Sequence, residues 1–449
     1  RMHKILSDFG KRTLQEDPTL HFYETFLAAY DPDLRDRRGV RFTPSPVVSY
    51  IVRSVDELLK EEFGLLRGLA DTTRLPDDQH KLLLLDPACG TATFLYSVID
   101  LIRESFMTAD NAGMWSDYVR QHLLPRIFGF ELLMAPYAVA HFKLALQLAG
   151  HDLPEAMRPQ WAYDFAADER IQVYLTNTLE RPEEEVETLW GPLKVVAKEA
   201  QAASAIKDEL PIMVILGNPP YANFGQMNRN PWILGLLDEY KRGLDEKKLN
   251  IDDDYIKFIR WGQWRIEQTG QGVLAFITNH TYLDGITHRQ IRKSLMQTFD
   301  QIYVLDLHGN VRRGETSPDG SPDENVFDIQ QGVAIAFFVK NPDARGETKV
   351  YHAELWGSRE HKYRILDSIT HAETEWQDAA PRPEFFFFKP LDYTGRQEYK
   401  ACESLTDAFR VYAGGIGTDR DSLFYDFAKE TLAQRFQTFY SPQGVRSPF

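Results

Sequence analysis

Between Lys81 and Gly309 the chain returns six times to a short, continuous apolar run closed by a turn: KLLLLDPACG, RIFGFELL, IQVYLTNTL, IMVILGNPP, GVLAFITNH and QIYVLDLHG. Helical stretches such as TFLYSVIDLI and MAPYAVAHFKLALQLA stand between them. A strand without polar alternation is buried on both faces, and strands separated by helices join as parallel neighbours. The fold class that follows is α/β, a doubly wound, mostly parallel sheet covered by helices on both sides. A seventh run, GVAIAFFVK (332–340), follows the sixth closely and is read as an antiparallel edge. With 449 residues, 43% of them hydrophobic, the chain can fill such a core and smaller units besides.

Residues 1–78 read as a helical N-terminal region, because FYETFLAAY and SPVVSYIVRSVDELLKEEFGLL carry apolar residues at helical spacing. Residues 79–356 hold the α/β core. Past Trp356 the strand–helix rhythm fades, so 357–449 are read as the start of a further C-terminal domain, cut short, with FFFFKP (385–390) in its core. Three polar inserts, 180–210, 225–254 and 309–325, interrupt the core; loops of that length are functional or disordered.

Charge and cysteine usage narrow the function classes. A net charge of -15 excludes general coating of nucleic acid, which needs Lys and Arg against phosphate, but leaves room for a local basic face. Two cysteines, Cys89 and Cys402, are too few for a disulfide framework or a zinc knuckle, and suit a reducing, cytoplasmic setting. No run of about 18 apolar residues and no signal-peptide core occur, so no membrane partner is expected.

The chemistry sits where strands break. In LLLLDPACGTATF (82–94), Asp86 ends a run and a tight loop of small residues opens a helix, a place where ligands approach backbone amides at the carboxyl edge of a doubly wound sheet. No Lys-Ser/Thr pair follows, so a nucleotide-like cofactor fits better than a phosphate. Glu131 closes the next run and suits a pair of ribose hydroxyls. In VILGNPPYAN, Asn218 offers an amide oxygen and Pro219 a carbonyl, two acceptors for one amino group, while Pro220 stiffens the turn and Tyr221 offers a flat face for a planar base. Each has a plainer alternative: a strand-to-helix turn, a solvated acid, and a rigid loop whose tyrosine packs inward.

Taken together, DPACGTATF, then GNPPYANF, with GVRFTPSPVV ahead of both, resemble the S-adenosylmethionine-dependent amino-methyltransferases that modify DNA adenine at N6, in their gamma order. More narrowly, RRGVRFTPSPVVSYIVRSVDELL, DDDYIKFIRWGQWRIE, DLHGN, DENVFDIQQGVAIAFFVK and GGIGTDRDSLFYDF resemble the methyltransferase portion of type ISP restriction–modification enzymes. The resemblance implies a Rossmann-like core binding S-adenosyl-L-methionine and a site-specific, adenine-specific methyltransferase acting on double-stranded DNA. By it Phe42, Thr43 and Pro44 contact the methionine part of the cofactor, Asp86, Ala88 and Gly90 line its loop, Glu131 holds the ribose, and Asn177 stands where an aspartate is common. Asn218, Pro219, Pro220 and Tyr221 are then catalytic, with Tyr221 and Phe224 stacking on the extruded base. Ala92 stands where many relatives have a second glycine, so the loop is expected to avoid positive φ there. The region after the core would begin a target-recognition domain, and nuclease or ATPase parts would lie in other domains or subunits, since no GxxxxGK[ST] occurs.

Other polar clusters have ordinary readings. Asn279 and His280 read more readily as a turn than as pocket lining. Asp252, Asp253 and Asp254 are no metal site but an acidic helix start, and no metal is assigned. Cys89 is a small loop residue, not a nucleophile. Lys241, Arg242, Lys247, Lys248, Arg312 and Arg313 are candidates for phosphate contact. Rival readings are methylation of cytosine N4, an RNA base or a protein glutamine, and, from a different class, a silent DNA- or cofactor-binding subunit.

Overall fold

The computed structural model describes residues 43–107, 111, 113–167, 169–181, 192–221, 227–246, 251–409 and 426–439. Its sheet has nine strands: β1 Leu84–Asp86, β2 Ile127–Glu131, β3 Gln172–Leu175, β4 Val214–Gly217, β5 Gly272–Asn279, β6 Gln301–Asp306, β7 Val333–Lys340, β8 Lys349–Glu354 and β9 Gln377–Asp378. They lie in the order β3-β2-β1-β4-β5-β7-β6-β8-β9. β1 pairs in parallel with β2 and β4, β2 with β3, β4 with β5, and β6 with β8. β7 runs antiparallel to both neighbours, β5 and β6. It is therefore an interior strand and not the expected edge. Seven of its eight positions are buried, on both faces, and both of its backbone edges are paired, so no row of N–H and C=O groups is left open.

Successive side chains feed two apolar clusters, one on each face. Val214, Leu216, Val273, Ala275, Ile335 and Phe337 enter one; Ile215, Leu274, Phe276, Ala336 and Phe338 enter the other. The first face is covered by α1 (Ser45–Phe63), α2 (Thr93–Phe106), α3 (Met134–Leu148) and α8 (Arg359–Ser368); the second by α4 (Pro192–Asp208), α5 (Pro231–Lys241), α6 (Asp254–Thr269) and α7 (Arg289–Thr298). α1 presents Val47, Val48, Ile51, Val55, Leu58 and Leu59 to the core, and stops at Gly64, whose φ of 64° few other residues tolerate. No helix among the described residues is long and apolar enough to cross a membrane.

The chain divides into two compact units, Arg1–Pro390 and Leu391–Phe449. Residues 357–390 thus lie in the first unit. α8 packs on α1, β9 extends the sheet beside β8, and Phe388, from the FFFFKP stretch read as core of a downstream domain, is fully buried among side chains of the first unit. In the second unit the described residues form three helices, Arg396–Ala401, Leu405–Ala408 and Lys429–Phe439, and no residue of 396–401, 405–408 or 429–438 is buried.

The third insert is pinned. The Asp323 carboxylate accepts from the backbone of Gly309 (2.7 Å) and Gly357 (2.8 Å) and pairs with Lys362 Nζ at 2.7 Å, both side chains fully buried. Lys362 Nζ also donates to the carbonyls of Leu307 and Glu324, each at 2.7 Å. One lysine on α8 thereby fixes both ends of the 309–325 loop.

Candidate active site

The chain leaves β1 towards β2 on one side and returns in β4 on the other, so the carboxyl ends of β1 and β4 flank the point where winding reverses. Ligands of doubly wound sheets bind outside that point. Asp86 ends β1 and Gly217 ends β4. A Cβ placed on Gly217 would come within 2.7 Å of Asp86 Oδ1, so the last residue of β4 passes directly over the carboxylate. Asn218 follows within one residue.

The β1 loop is closed by its own polar groups. Asp86 Oδ1 accepts from the Ala88 amide (3.1 Å), and Glu131, at the end of β2, accepts from Gly90 (2.9 Å) and Leu133 (2.7 Å). Gly90 adopts φ 54° and nothing lies within 4 Å of where its Cβ would be, which leaves its backbone open to a ligand. Asp86 is buried and its Oδ2 has no hydrogen-bond partner among the described residues. Burial, opposed by the Ala88 bond and reinforced by Glu131, pushes its carboxyl from 3.8 up to about 8. The folded chain therefore keeps a proton that the unfolded chain releases above 3.8. This stabilising contribution is complete below that value and is lost as pH rises through about 8. Thermal melts across that window should show Tm falling with pH, and Asp86→Asn should flatten the fall. Burial, with Asp86 and Glu131 nearby, also holds the Cys89 thiol far above its ordinary value, which keeps it protonated and unreactive.

Ala92 corrects an expectation. It is the N-cap of α2 and adopts φ 63°, the left-handed conformation the missing glycine was expected to forbid. Its amide donates to the Cys89 carbonyl (2.7 Å) and its carbonyl accepts from Tyr96 (2.9 Å), so the loop's hydrogen bonds hold alanine where a small residue alone fits. The strain is about 1–2 kcal/mol. Ala92→Gly should change stability by under about 1 kcal/mol, because relieved strain offsets lost burial and added chain entropy. Ala92→Val should cost at least about 2 kcal/mol. Urea denaturation of the two variants checks both values.

At the end of β4, Asn218 is held at both ends of its amide. Nδ2 donates to Thr43 Oγ1 (3.0 Å), and Oδ1 accepts from the Tyr221 hydroxyl (2.8 Å), which also reaches the Ile277 carbonyl (3.2 Å). Tyr221 is half-buried, edge-on to Tyr255 at 6.3 Å between ring centroids, so its ring turns inward and does not stand exposed. Burial, with Asp253 nearby, raises its hydroxyl well above the usual range, so it stays a neutral donor. Pro44 begins α1, accepting from Val47 and Val48, and so places Thr43 beside Asn218.

Asn177, past β3, accepts through Oδ1 from Leu179 and from Asn228 Nδ2, both at 3.1 Å, and its carbonyl takes Lys207 Nζ at 2.7 Å. Asn228, in the second insert, also donates its amide to Asp254 (3.0 Å). Asp254 pairs with Lys257 in the first turn of α6, and Asp253 is the N-cap position, so the acidic run opens a helix as read. Sequence reasoning missed the Asn177–Asn228–Asp254 chain and Lys207; only the polarity of the insert signalled them.

One edge further, Asn279 Oδ1 caps the turn at His280, accepting from Thr281. His280 is buried with Nδ1 on Asp306 (2.9 Å) and Nε2 against Asn310 (3.2 Å). Burial favours the neutral acid at Asp306, yet His280, His308 and Lys389 outweigh it and hold the carboxyl far below its usual range. Of the basic candidates, Lys241 pairs with Asp252 and Arg313 with Asp284, while Arg242 and Arg312 are exposed. Phe42, Phe224, Lys247 and Lys248 lie outside the described residues.

Residues 126–311 match the family model described as Eco57I restriction-modification methylase, a span containing Glu131, Asn177 and Asn218–Tyr221. Among solved structures, the ATP-dependent type ISP restriction-modification enzyme LlaBIII bound to DNA is similar at 25% identity and TM-score 0.69, over 95% of this chain and 28% of that one. A nuclease-deletion mutant of the type ISP enzyme LlaGI, in complex with a DNA substrate mimic, is similar at 25% and 0.67, over 98% and 36%. The DrdV–DNA complex shares the fold at 24% and 0.68, over 94% and 39%. The chain spans well under half the length of each of these proteins. No curated protein matches the sequence.

Proposed function

We propose that this chain is the modification core of a restriction–modification enzyme and transfers a methyl group from S-adenosyl-L-methionine to N6 of adenine in double-stranded DNA. The observation that carries the reading is the amide of Asn218 at the end of β4, one residue beyond the point where β4 crosses Asp86. The methylase match and the type ISP neighbours support it.

The residues present fit the cofactor. Asp86 has an orphaned, buried carboxyl oxygen and Gly90 an open approach, which suits a ligand carrying hydrogen-bonding groups. Asp86, Ala88 and Gly90 would hold it with Glu131 on the ribose, and Thr43 and Pro44 stand near. When bound, it supplies an electrophilic methyl group on a sulfonium.

The chain's own residues do the rest. Asn218 Oδ1 and the Pro219 carbonyl accept the two N–H groups of the target amine, drawing its nitrogen towards a tetrahedral shape with its lone pair free to attack. Positive charge grows on that nitrogen during transfer, and two fixed acceptors stabilise it without reorganising. The surplus proton of the methylated amine is strongly acidic and leaves to water. Tyr221 donates to the same oxygen, whose second lone pair is left for the amine, and the Ile277 carbonyl is a further acceptor for that hydroxyl.

Incubation with methyl-labelled cofactor and unmethylated genomic DNA, followed by nucleoside mass spectrometry, tests the proposal. Label on N6-methyladenine is the expected result. Label on N4-methylcytosine moves the target, and cofactor binding without transfer gives the silent subunit.

A further inference from the structure

Thr43 was read from the sequence as a cofactor contact, but its hydroxyl lies 3.0 Å from Asn218 Nδ2, and only 5% of the residue is exposed. The partners are 175 residues apart, so the contact is set by the tertiary fold. Pro44 fixes the backbone at the start of α1, and the β-branched threonine has few rotamers, so the hydroxyl is held from both sides.

We infer that Thr43 is a positioning residue for methyl transfer, acting through Asn218 by anchoring the amide nitrogen so that Oδ1 faces the substrate amine. The inference rests on the methyl-transfer reading above. An asparagine amide has one accepting and one donating end, and a rotated amide would set N–H against the N–H of the amine. Tyr221 holds the oxygen end of the amide and the Thr43 hydroxyl holds the nitrogen end. Loss of the Thr43 bond loosens the amide about χ2, and the acceptor loses alignment.

The test compares Thr43→Val, which keeps the shape and removes the hydroxyl, with Thr43→Ser, which keeps the hydroxyl. The full chain is assayed for labelled-methyl transfer, for the dissociation constant of S-adenosylmethionine, and for Tm. Thr43→Val should lower kcat by about 10- to 100-fold, with cofactor affinity and KM for DNA little changed. Thr43→Ser should recover most of the loss. In an Asn218→Ala background, Thr43→Val should cost nothing further, because the two residues act as one unit. Weakened cofactor binding with unchanged kcat would return Thr43 to the cofactor site, and wild-type kcat in Thr43→Val, or additive loss in the double variant, would overturn the inference. If Thr43→Val lowers Tm sharply, Thr43→Ser against Thr43→Ala gives the same comparison. A wild-type chain that methylates no adenine sinks the functional reading instead, so the two failures are distinguishable.

Discussion

Asn218→Ala is expected to slow methyl transfer by about 10²- to 10³-fold while leaving cofactor affinity within about twofold of wild type. That loss corresponds to about 3–4 kcal/mol of transition-state stabilisation, the scale seen when a preorganised hydrogen-bonding group facing developing charge is removed. The two effects separate because Asn218 bonds to Thr43 and Tyr221, whereas the β1 loop is closed by Asp86 and Glu131. The fold should tolerate the change. Tyr221 keeps the Ile277 carbonyl as an acceptor, so the structural cost is that of one or two ordinary hydrogen bonds, about 1 kcal/mol each. Labelled-methyl transfer and cofactor titration on the same preparation read both quantities. Turnover near the wild-type rate would place the amine in some other pair of acceptors.

The largest effect on stability is expected at Lys362. Replacing it with methionine keeps the stem but deletes an ammonium that serves Asp323, Leu307 and Glu324 together. Removing one partner of a buried pair leaves an uncompensated charge, at a cost of about 3–5 kcal/mol. Domains of this kind are stable by about 5–15 kcal/mol, so the variant should unfold at a clearly lower urea concentration. Joint replacement of Lys362 by Met and Asp323 by Asn should cost less than the sum of the single changes, since each removes the other's unpaired charge. Additive costs would mean that the pair is weak and that the backbone bonds of Asp323 alone hold the insert.

Much of the sheet could be read from the sequence because its strands are buried on both faces and so appear as uninterrupted apolar runs. Ile215 and Leu216, for example, enter opposite clusters. The same physics hid the position of β7. A run apolar on both faces states that a strand is covered, but whether it is covered by helices alone or by strands on either side depends on pairing with β5 and β6, which no local pattern encodes. The candidate residues Asp86, Glu131 and Asn218 could be picked out because polar chemistry and strand end coincide there. The contacts that span the chain, Thr43 with Asn218 and Asn177 with Asn228, could not. Ala92 shows a third limit: residue type gives a preference for φ, and hydrogen bonds to Cys89 and from Tyr96 can override it. The boundary at 356 failed to mark a unit for a related reason. Lys362 and Leu366 look like parts of an ordinary polar helix until their partners, Asp323 and the packed face of α1, are in place.

The closure of the first unit has a consequence for how the chain is made. Tyr50 bonds to Thr374, Arg53 to the Leu366 carbonyl, and Glu62 to Gln301 and Asn341, over separations of 239 to 324 residues. A ribosome adding about 5–20 residues per second needs roughly 15–60 s to reach Thr374 after α1 has emerged. For that interval an amphipathic helix with ten residues destined for burial waits without its last partners. Nascent chains of this protein should therefore be clients for co-translational chaperones, and the final docking of α8 on α1, with its large loop to close, should be the slow event of folding.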